Sequence, residues 1–522
     1  MANMINYWWA TRPKRKLNSV PEVLALLSGL SLDAEWNGQR NTHLSLEAKL
    51  EAEGLKRVGE RRDQGGSGAR TYAAWIQSLG LTFIQQSTGK MKLTLAGEAL
   101  MNGSNPVEIL KGQVLKYQFP SAYSISVRVA DRFKIHPFIF LLKLLLDDRL
   151  SYLTEEEIAK IVIVEAENET NKCYEYIVKR ILQFREAGDN CLADDFFDKY
   201  KPSRGPINLA HPYSHLTDTA NTLINWLDYT QLIDRNKDSD KKITVLSGKE
   251  EEVKAIVADG LPFIADPEDH EKYQRRYGLA PGQRKDSRAL NNERSITPKD
   301  IAKAQIQRAF ISETLKKPIF SINSEIIDKI QSITGYEEKL IEDILLSLYP
   351  HGAIGSFLPE YFEMAFNGRE EATEFEKATV EIFREIFKYD ARHVGPIGLT
   401  PDVLLLADDE GYQAIIDNKA YSKYTISNDH HNRMVHNYIE NISNYSDSPY
   451  PLAFFTYIAG GFGKTFGSQL QKIQEATGIN GSGINVSNMI KLIEQSQEKT
   501  YSHASLRDLF SVNREIIIGD LL

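Results

Sequence analysis

Residues 400–421, TPDVLLLADDEGYQAIIDNKAY, narrow the fold more than any other stretch of this chain. Two apolar runs, 403–406 and 412–416, flank Asp408-Asp409-Glu410-Gly411, a polar turn sequence closed by glycine. Strand-forming runs separated by such a turn predict a β-hairpin. With Asp409 and Glu410 as the loop, Asp402 falls opposite Asp417. Carboxylates resist burial, so acidic residues at the ends of two core-quality strands need a use. Asp417 and Lys419 stand two residues apart and project from one face of their strand.

Two unpaired carboxylates so placed repel each other, and one takes up a proton near neutral pH unless a cation lies between them. Mg²⁺ suits such a pair because it takes oxygen ligands, keeps several waters and tolerates a shared phosphate. In phosphodiester hydrolysis the metal polarises the phosphate and lowers the pKa of a bound water, while an ammonium such as that of Lys419 steadies the nucleophile or the developing charge. A third ligand is expected from the helical stretch EEATEFEKATVEIFREIFKY, residues 370–389. There Glu376 heads a stripe with Val380, Phe383 and Phe387, so it is the inward-facing candidate. Glu381 and Glu385 share a polar stripe with Lys377 and Lys388, and they and Glu370, Glu371 and Glu374 read as solvated. A carboxylate in an early turn of the helix also fits Glu376 as the rim of a packed face.

At 522 residues the chain exceeds one core, and its 42% apolar and 25% charged residues are ordinary for a globular protein. No run of eighteen apolar residues occurs, and the start, MANMINYWWATRPKRK, lacks the pattern of a signal peptide, so a cytoplasmic, non-membrane protein is expected. Cys173 and Cys191 form no CxxC pair, which argues against a disulfide framework or structural zinc. The net charge is −9, yet residues 1–150 hold 20 Lys and Arg against 13 Asp and Glu, while residues 351–522 hold 14 against 23. A basic front and an acidic back fit a chain that grips a polyanion at one end and holds divalent cations at the other; uneven surface charge is the plainer account.

An internal repeat organises the first half. TYAAWIQSLGLTFIQQSTGKMKLTLAGEAL starts at Thr71, and TLINWLDYTQLIDRNKDSDKKITVLSGKEEEV starts at Thr222. Each has a Trp-bearing helix ending near a leucine (Leu81, Leu232), a hairpin with a polar tip (87–90 and 236–240), a KLT or KIT strand, and a glycine opening another helix; Trp75 to Gly97 and Trp226 to Gly248 both span 22 residues. That order is the winged-helix pattern, which serves either DNA contact or protein interaction and scaffolding. Before the first copy, KRVGERRDQGGSGAR supplies Lys56, Arg57, Arg61, Arg62 and Arg70 around a Gly/Ser turn. Arg57, Arg61, Arg62 and Arg70, with Lys90 and Lys92 of the hairpin, are the candidate DNA-binding residues, the alternative being a solvated basic loop.

Residues 266–300 lose apolar periodicity and gain Arg, Lys, Gly and Pro, so they read as a linker whose Arg275, Arg276, Arg284 and Arg288 either follow a DNA backbone or are simply solvated. The expected layout is one recognition domain over 1–150, a second over 151–260, a linker and helical connector over 261–350, and a catalytic domain over 351–522. GGFGKTFG, residues 460–467, invites a nucleotide-loop reading, but the glycine a Walker A motif needs is replaced by Ile458, so no nucleotide is expected. His430 and His431 are adjacent and cannot both face one ion from a helix; a helix capped by Asn428 or Asp429, with His436 beyond, is the economical account.

Pro401-Asp402, Asp417-Asn418-Lys419 and Glu376 on a preceding helix together resemble the PD-(D/E)xK nuclease core. DNKAYSKYTIS, FFTYIAGGFGKTFGSQLQKI and INVSNMIKLIE are similar to the FokI cleavage domain, and KYQFPSA with IHPFIFLLKLL to the type IIS AlwI/BstNBI group. The resemblance implies a multidomain restriction endonuclease. Mainly α-helical, winged-helix-like N-terminal domains recognise a short asymmetric site in double-stranded DNA, and an α/β domain with a mixed central sheet cuts a few base pairs away. It further implies Mg²⁺, transient pairing of two cleavage domains for double-strand cutting, and a catalytic set of Asp402, Asp417 and Lys419, with Asp in place of the commoner Glu before x-Lys as in the FokI branch. A strand-specific nicking enzyme, and a DNA-binding regulator with an inactive nuclease fold, stay open as alternatives.

Overall fold

A computed structural model describes the chain except residues 1–3, 33, 59–64, 126–128, 203–210, 236–240, 267, 291–297, 315–317, 350–351, 367–371, 396–398, 497–498 and 522. Two compact units are present: Met1–Ser312 with Ser324–Leu348, and Glu313–Asn323 with Tyr349–Leu522.

In the first unit both repeats form a helix, an antiparallel strand pair and a second helix. The first copy runs from helix Ser67–Ser78 through β1 (Thr82–Ile84) and β2 (Met91–Leu93) to helix Leu95–Met101. The second runs from helix Ser214–Tyr229 through β4 (Ile233–Arg235) and β5 (Lys242–Val245) to helix Glu250–Asp259, with the short β3 (Leu153–Thr154) on the other side of β5. Trp75 and Trp226 are both fully buried, which explains why each copy carries a Trp at this helix position. Trp226 stacks on Phe138 at 6.0 Å and meets Tyr117 edge-on at 5.9 Å.

The two repeat glycines differ in purpose. Gly97 lies inside the helix that Thr94 caps, and a Cβ there would sit 2.1 Å from the Leu81 carbonyl. Gly248 instead supplies a left-handed turn at φ +85° ahead of its helix. The second hairpin tip, 236–240, lies outside the described residues.

Within the stretch read as a linker, one helix packs into the core of the first unit. Helix His270–Tyr277 buries Tyr273 and Tyr277 at 1% exposure each. Gln274 donates to the carbonyls of Gln77 (2.5 Å) and Thr82 (2.9 Å), and Lys116 Nζ donates to those of Tyr277 (2.8 Å) and Leu279 (2.7 Å). Arg275 and Arg288 are held by Asp286 rather than left to solvent. The misreading has a physical cause: two tyrosines spaced i, i+4 anchor a helix that is otherwise polar.

The second unit is built on a mixed six-stranded sheet in the order β11-β10-β9-β8-β7-β6, comprising β6 (Asp390–His393), β7 (Val403–Ala407), β8 (Tyr412–Lys419), β9 (Leu452–Ala459), β10 (Asn480–Asn485) and β11 (Glu515–Ile516). β6, β7 and β8 pair antiparallel, and β8 through β11 pair parallel. β7 is buried along its whole length and β8 along all but its last residue, as continuous apolar runs require when helices cover both faces. Among the described residues no helix is long and apolar enough to cross a membrane.

Candidate active site

The hairpin register follows from its turn: Val403 pairs with Ile416 and Ala407 with Tyr412, so Asp402 and Asp417 occupy the next rung beyond the paired residues. Asp402 is tied to that rung from the opposite strand, because the backbone N–H of Asn418 donates to its Oδ2 at 2.6 Å. Lys419 Nζ lies 2.7 Å from Asp417 Oδ2, as the shared strand face demands.

Asp417 is 3% exposed, and its Oδ1 is buried without a hydrogen-bond partner. Burial first, and then the neighbouring Asp417 charge, hold the Asp402 carboxyl well above the ordinary carboxylate range; Lys419 works against this and Glu376 adds to it. Burial draws the Lys419 ammonium down, but Asp417 and Asp402 more than offset it and leave its pKa raised. Lys419 therefore stays charged in a site that excludes most water.

Glu376 rides on helix Ala372–Glu385 at the head of the stripe that buries Val380 and Phe383. Its Oε2 lies 2.8 Å from His393 Nε2, at the end of β6. Glu374 and Glu381 pair with Lys377 and Arg384 on the exposed face, and Glu370 and Glu371 lie outside the described residues. Among the described residues no three His, Cys, Asp or Glu side chains are grouped as a metal-binding set. Asp402 and Asp417 converge, whereas Glu376 is engaged with His393.

Sequence reasoning missed His393, Thr379 and Tyr361. Thr379 donates its hydroxyl proton to the Phe375 carbonyl, so it accepts from Asn418 Nδ2 at 2.7 Å and from Tyr361 OH at 2.9 Å. This buried node fastens the Glu376 helix to the strand carrying Asp417 and Lys419. Their signal was faint: His393 is the register partner of Val403, which a strand assigned at 390–393 would have revealed.

Helix Asn428–Asn432 is capped by Ser427, ahead of both expected caps, because its hydroxyl accepts the His430 N–H. His430 contacts Tyr424 OH at 3.0 Å, and burial first, then the Lys419 charge, lower its pKa, so it borders the site after all. The glycine-rich loop serves packing. Gly460 and Gly463 donate their N–H groups to the Tyr421 and Tyr424 carbonyls, and a Cβ on Gly463 would meet Thr425 at 2.4 Å. Those amides are thus committed to the segment that follows Lys419.

Of the expected recognition residues, Arg57 is exposed, Arg70 donates to the Gly65 carbonyl at 2.6 Å, and Lys90 and Lys92 are half-buried on the first hairpin. Arg61 and Arg62 lie outside the described residues.

A family model described as the AlwI restriction endonuclease matches residues 77–349, more than half of the chain. The chain belongs to the AlwI restriction endonuclease family. The FokI cleavage-domain model matches residues 335–517, the region that carries Asp402, Asp417 and Lys419. The protein is a type IIS restriction enzyme, a site-specific deoxyribonuclease. Among solved structures, restriction endonuclease FokI is 15% identical over 99% of this chain and 100% of its own, with a TM-score of 0.29; FokI bound to DNA gives 14% and 0.29 over the same shares. The BpuJ1 endonuclease binding domain in complex with modified DNA is 16% identical over 53% of this chain and 96% of its own, with a TM-score of 0.34. No curated protein matches.

Proposed function

We propose that this AlwI-family enzyme binds a short asymmetric site in double-stranded DNA through its first unit and hydrolyses phosphodiester bonds a few base pairs away, using Mg²⁺ held in the second. The observation that carries this reading is the buried pair of Asp402 and Asp417 beside a charged Lys419.

The donor set fits a hard divalent cation. It offers carboxylate oxygens, one of them, Asp417 Oδ1, buried and unpartnered, and a carboxyl at Asp402 that its surroundings force toward protonation. Asp402 and Asp417 would hold the ion, with Glu376 contributing from the helix side. When bound, Mg²⁺ polarises the scissile phosphate and lowers the pKa of a coordinated water. Lys419 Nζ, oriented by Asp417, donates to the attacking water or to a phosphate oxygen and offsets the charge that builds there. Asn418 keeps Asp402 in place through its backbone N–H, and its side chain locks the strand to helix Ala372–Glu385.

On the recognition side, the helix–hairpin–helix repeats act as winged-helix modules, with Arg57, Arg61, Arg62, Arg70, Lys90 and Lys92 toward DNA. Double-strand cutting takes two cleavage units paired transiently, and the enzyme works in the cytoplasm. Plasmid cleavage with Mg²⁺ by wild type and by Asp402→Ala tests the catalytic part: wild type cuts, and the variant binds duplex without cutting.

A further inference from the structure

Resting on the DNA-cleaving reading above, we propose that a hollow beside the loop of the first hairpin docks the phosphate backbone of the duplex through Arg276, Arg284 and Lys285. The hollow encloses about 620 Å³ and opens to solvent between helix Ser67–Ser78's hairpin, helix His270–Tyr277 and the chain at 284–286. Gln86, in the loop between β1 and β2, forms one wall.

The charges around it divide into two sets. Every acidic group lining the hollow is already engaged. Asp269 accepts from Gln86 Nε2 at 2.9 Å, Glu271 accepts from the Gln86 backbone N–H at 2.7 Å, and Asp286 is held by Arg275 and Arg288 with its side chain only 2% exposed. Two of the four arginines that the sequence offered as backbone followers, Arg275 and Arg288, are thereby consumed in holding the wall together. Arg276, Arg284 and Lys285 are exposed and have no acidic partner among the described residues.

The lining carries Lys272, Arg275, Arg276, Arg284 and Lys285 against Asp269, Glu271 and Asp286, so this concave surface is net positive and attracts a polyanion, and in a chain of net charge −9 it stands against the overall field. Arg276 at the end of its helix and Arg284 and Lys285 in the irregular chain after it suit successive phosphates along a strand, since each charge meets one phosphate and none reads a base. The bonds from Gln86 to Asp269 and Glu271 couple this surface to the hairpin of the first repeat. Backbone docking here and base contacts from that hairpin would then act on the same duplex.

Duplex binding measured across a range of salt concentrations tests this. Arg276→Gln/Arg284→Gln should flatten the slope of log K against log salt by about 2 and weaken specific and unrelated duplexes in equal proportion. Arg276→Lys/Arg284→Lys should restore the slope, and Lys172→Gln/Lys179→Gln, which removes two exposed cations elsewhere in the same unit, should leave it near wild type. An unchanged slope in the first variant, or an equal change in the Lys172/Lys179 variant, overturns the docking site alone. A wild type without affinity for any duplex overturns the docking site together with the reading it rests on.

Discussion

Asn418 reaches from β8 to the neighbouring helix, where its Nδ2 donates to the Thr379 hydroxyl at 2.7 Å in a fully buried setting. Since Thr379 also accepts from Tyr361, removing the hydroxyl leaves two buried donors unpaired. Thr379→Val should therefore cost about 1–3 kcal/mol of stability, while Thr379→Ser keeps most of it. Urea unfolding measures both, and equal midpoints for Val and wild type would show the node to be inert.

The ion pair between Lys419 and Asp417 predicts a catalytic rather than a binding loss. Lys419→Ala should lower single-turnover cleavage by roughly 10²–10³-fold while leaving duplex affinity within a few-fold. Single-turnover kinetics and a binding titration on the same DNA separate the two effects.

Much of this site was legible beforehand, and the reason is local. The turn 408–411 sets the register of β7 and β8, so Asp402, Asp417 and Lys419 could be placed from spacing alone. Glu376 was legible as the head of an apolar stripe. His393, Thr379 and Tyr361 were not, because their roles arise from β6 pairing with β7 and from helix packing, contacts between residues distant in sequence. Within 266–300, residues 270–288 misled for the opposite reason. Its arginines and glycines look solvated until Asp286 is seen binding two of them and Tyr273 and Tyr277 are seen in the core.

The raised Asp402 pKa makes stability depend on pH in a definite direction. A buried carboxyl held above its ordinary range favours the folded chain while protonated, so its contribution is full below about pH 4 and is lost as pH rises through the raised value. Metal-free wild type should lose thermal stability over that rise relative to Asp402→Asn, and Mg²⁺ should restore it. Parallel pH profiles for the two proteins without metal would contradict this.

The contact between His393 and Glu376 orients a candidate ligand. His393→Ala should raise the Mg²⁺ concentration for half-maximal cleavage by about 10–100-fold, with His393→Gln intermediate. Titration with Tb³⁺, followed by luminescence, gives the same affinity without relying on turnover.

Gly278 abuts the Gly80 carbonyl and Thr94, each 2.4 Å from where a Cβ would lie. Gly278→Ala should destabilise the first unit by about 1–3 kcal/mol, which a solvated linker would not show. Thermal unfolding of the full chain reads it directly.

Asp402, Asp417 and Lys419 are proposed to cut DNA at a fixed distance from a recognised site. Run-off sequencing of DNA of known sequence, digested with Mg²⁺ by wild type and by Asp417→Asn, tests it most directly. Wild type should leave breaks at one constant offset from a recurring short asymmetric sequence, and the variant none. Uniform fragmentation by wild type, or the same breaks from both proteins, would contradict it.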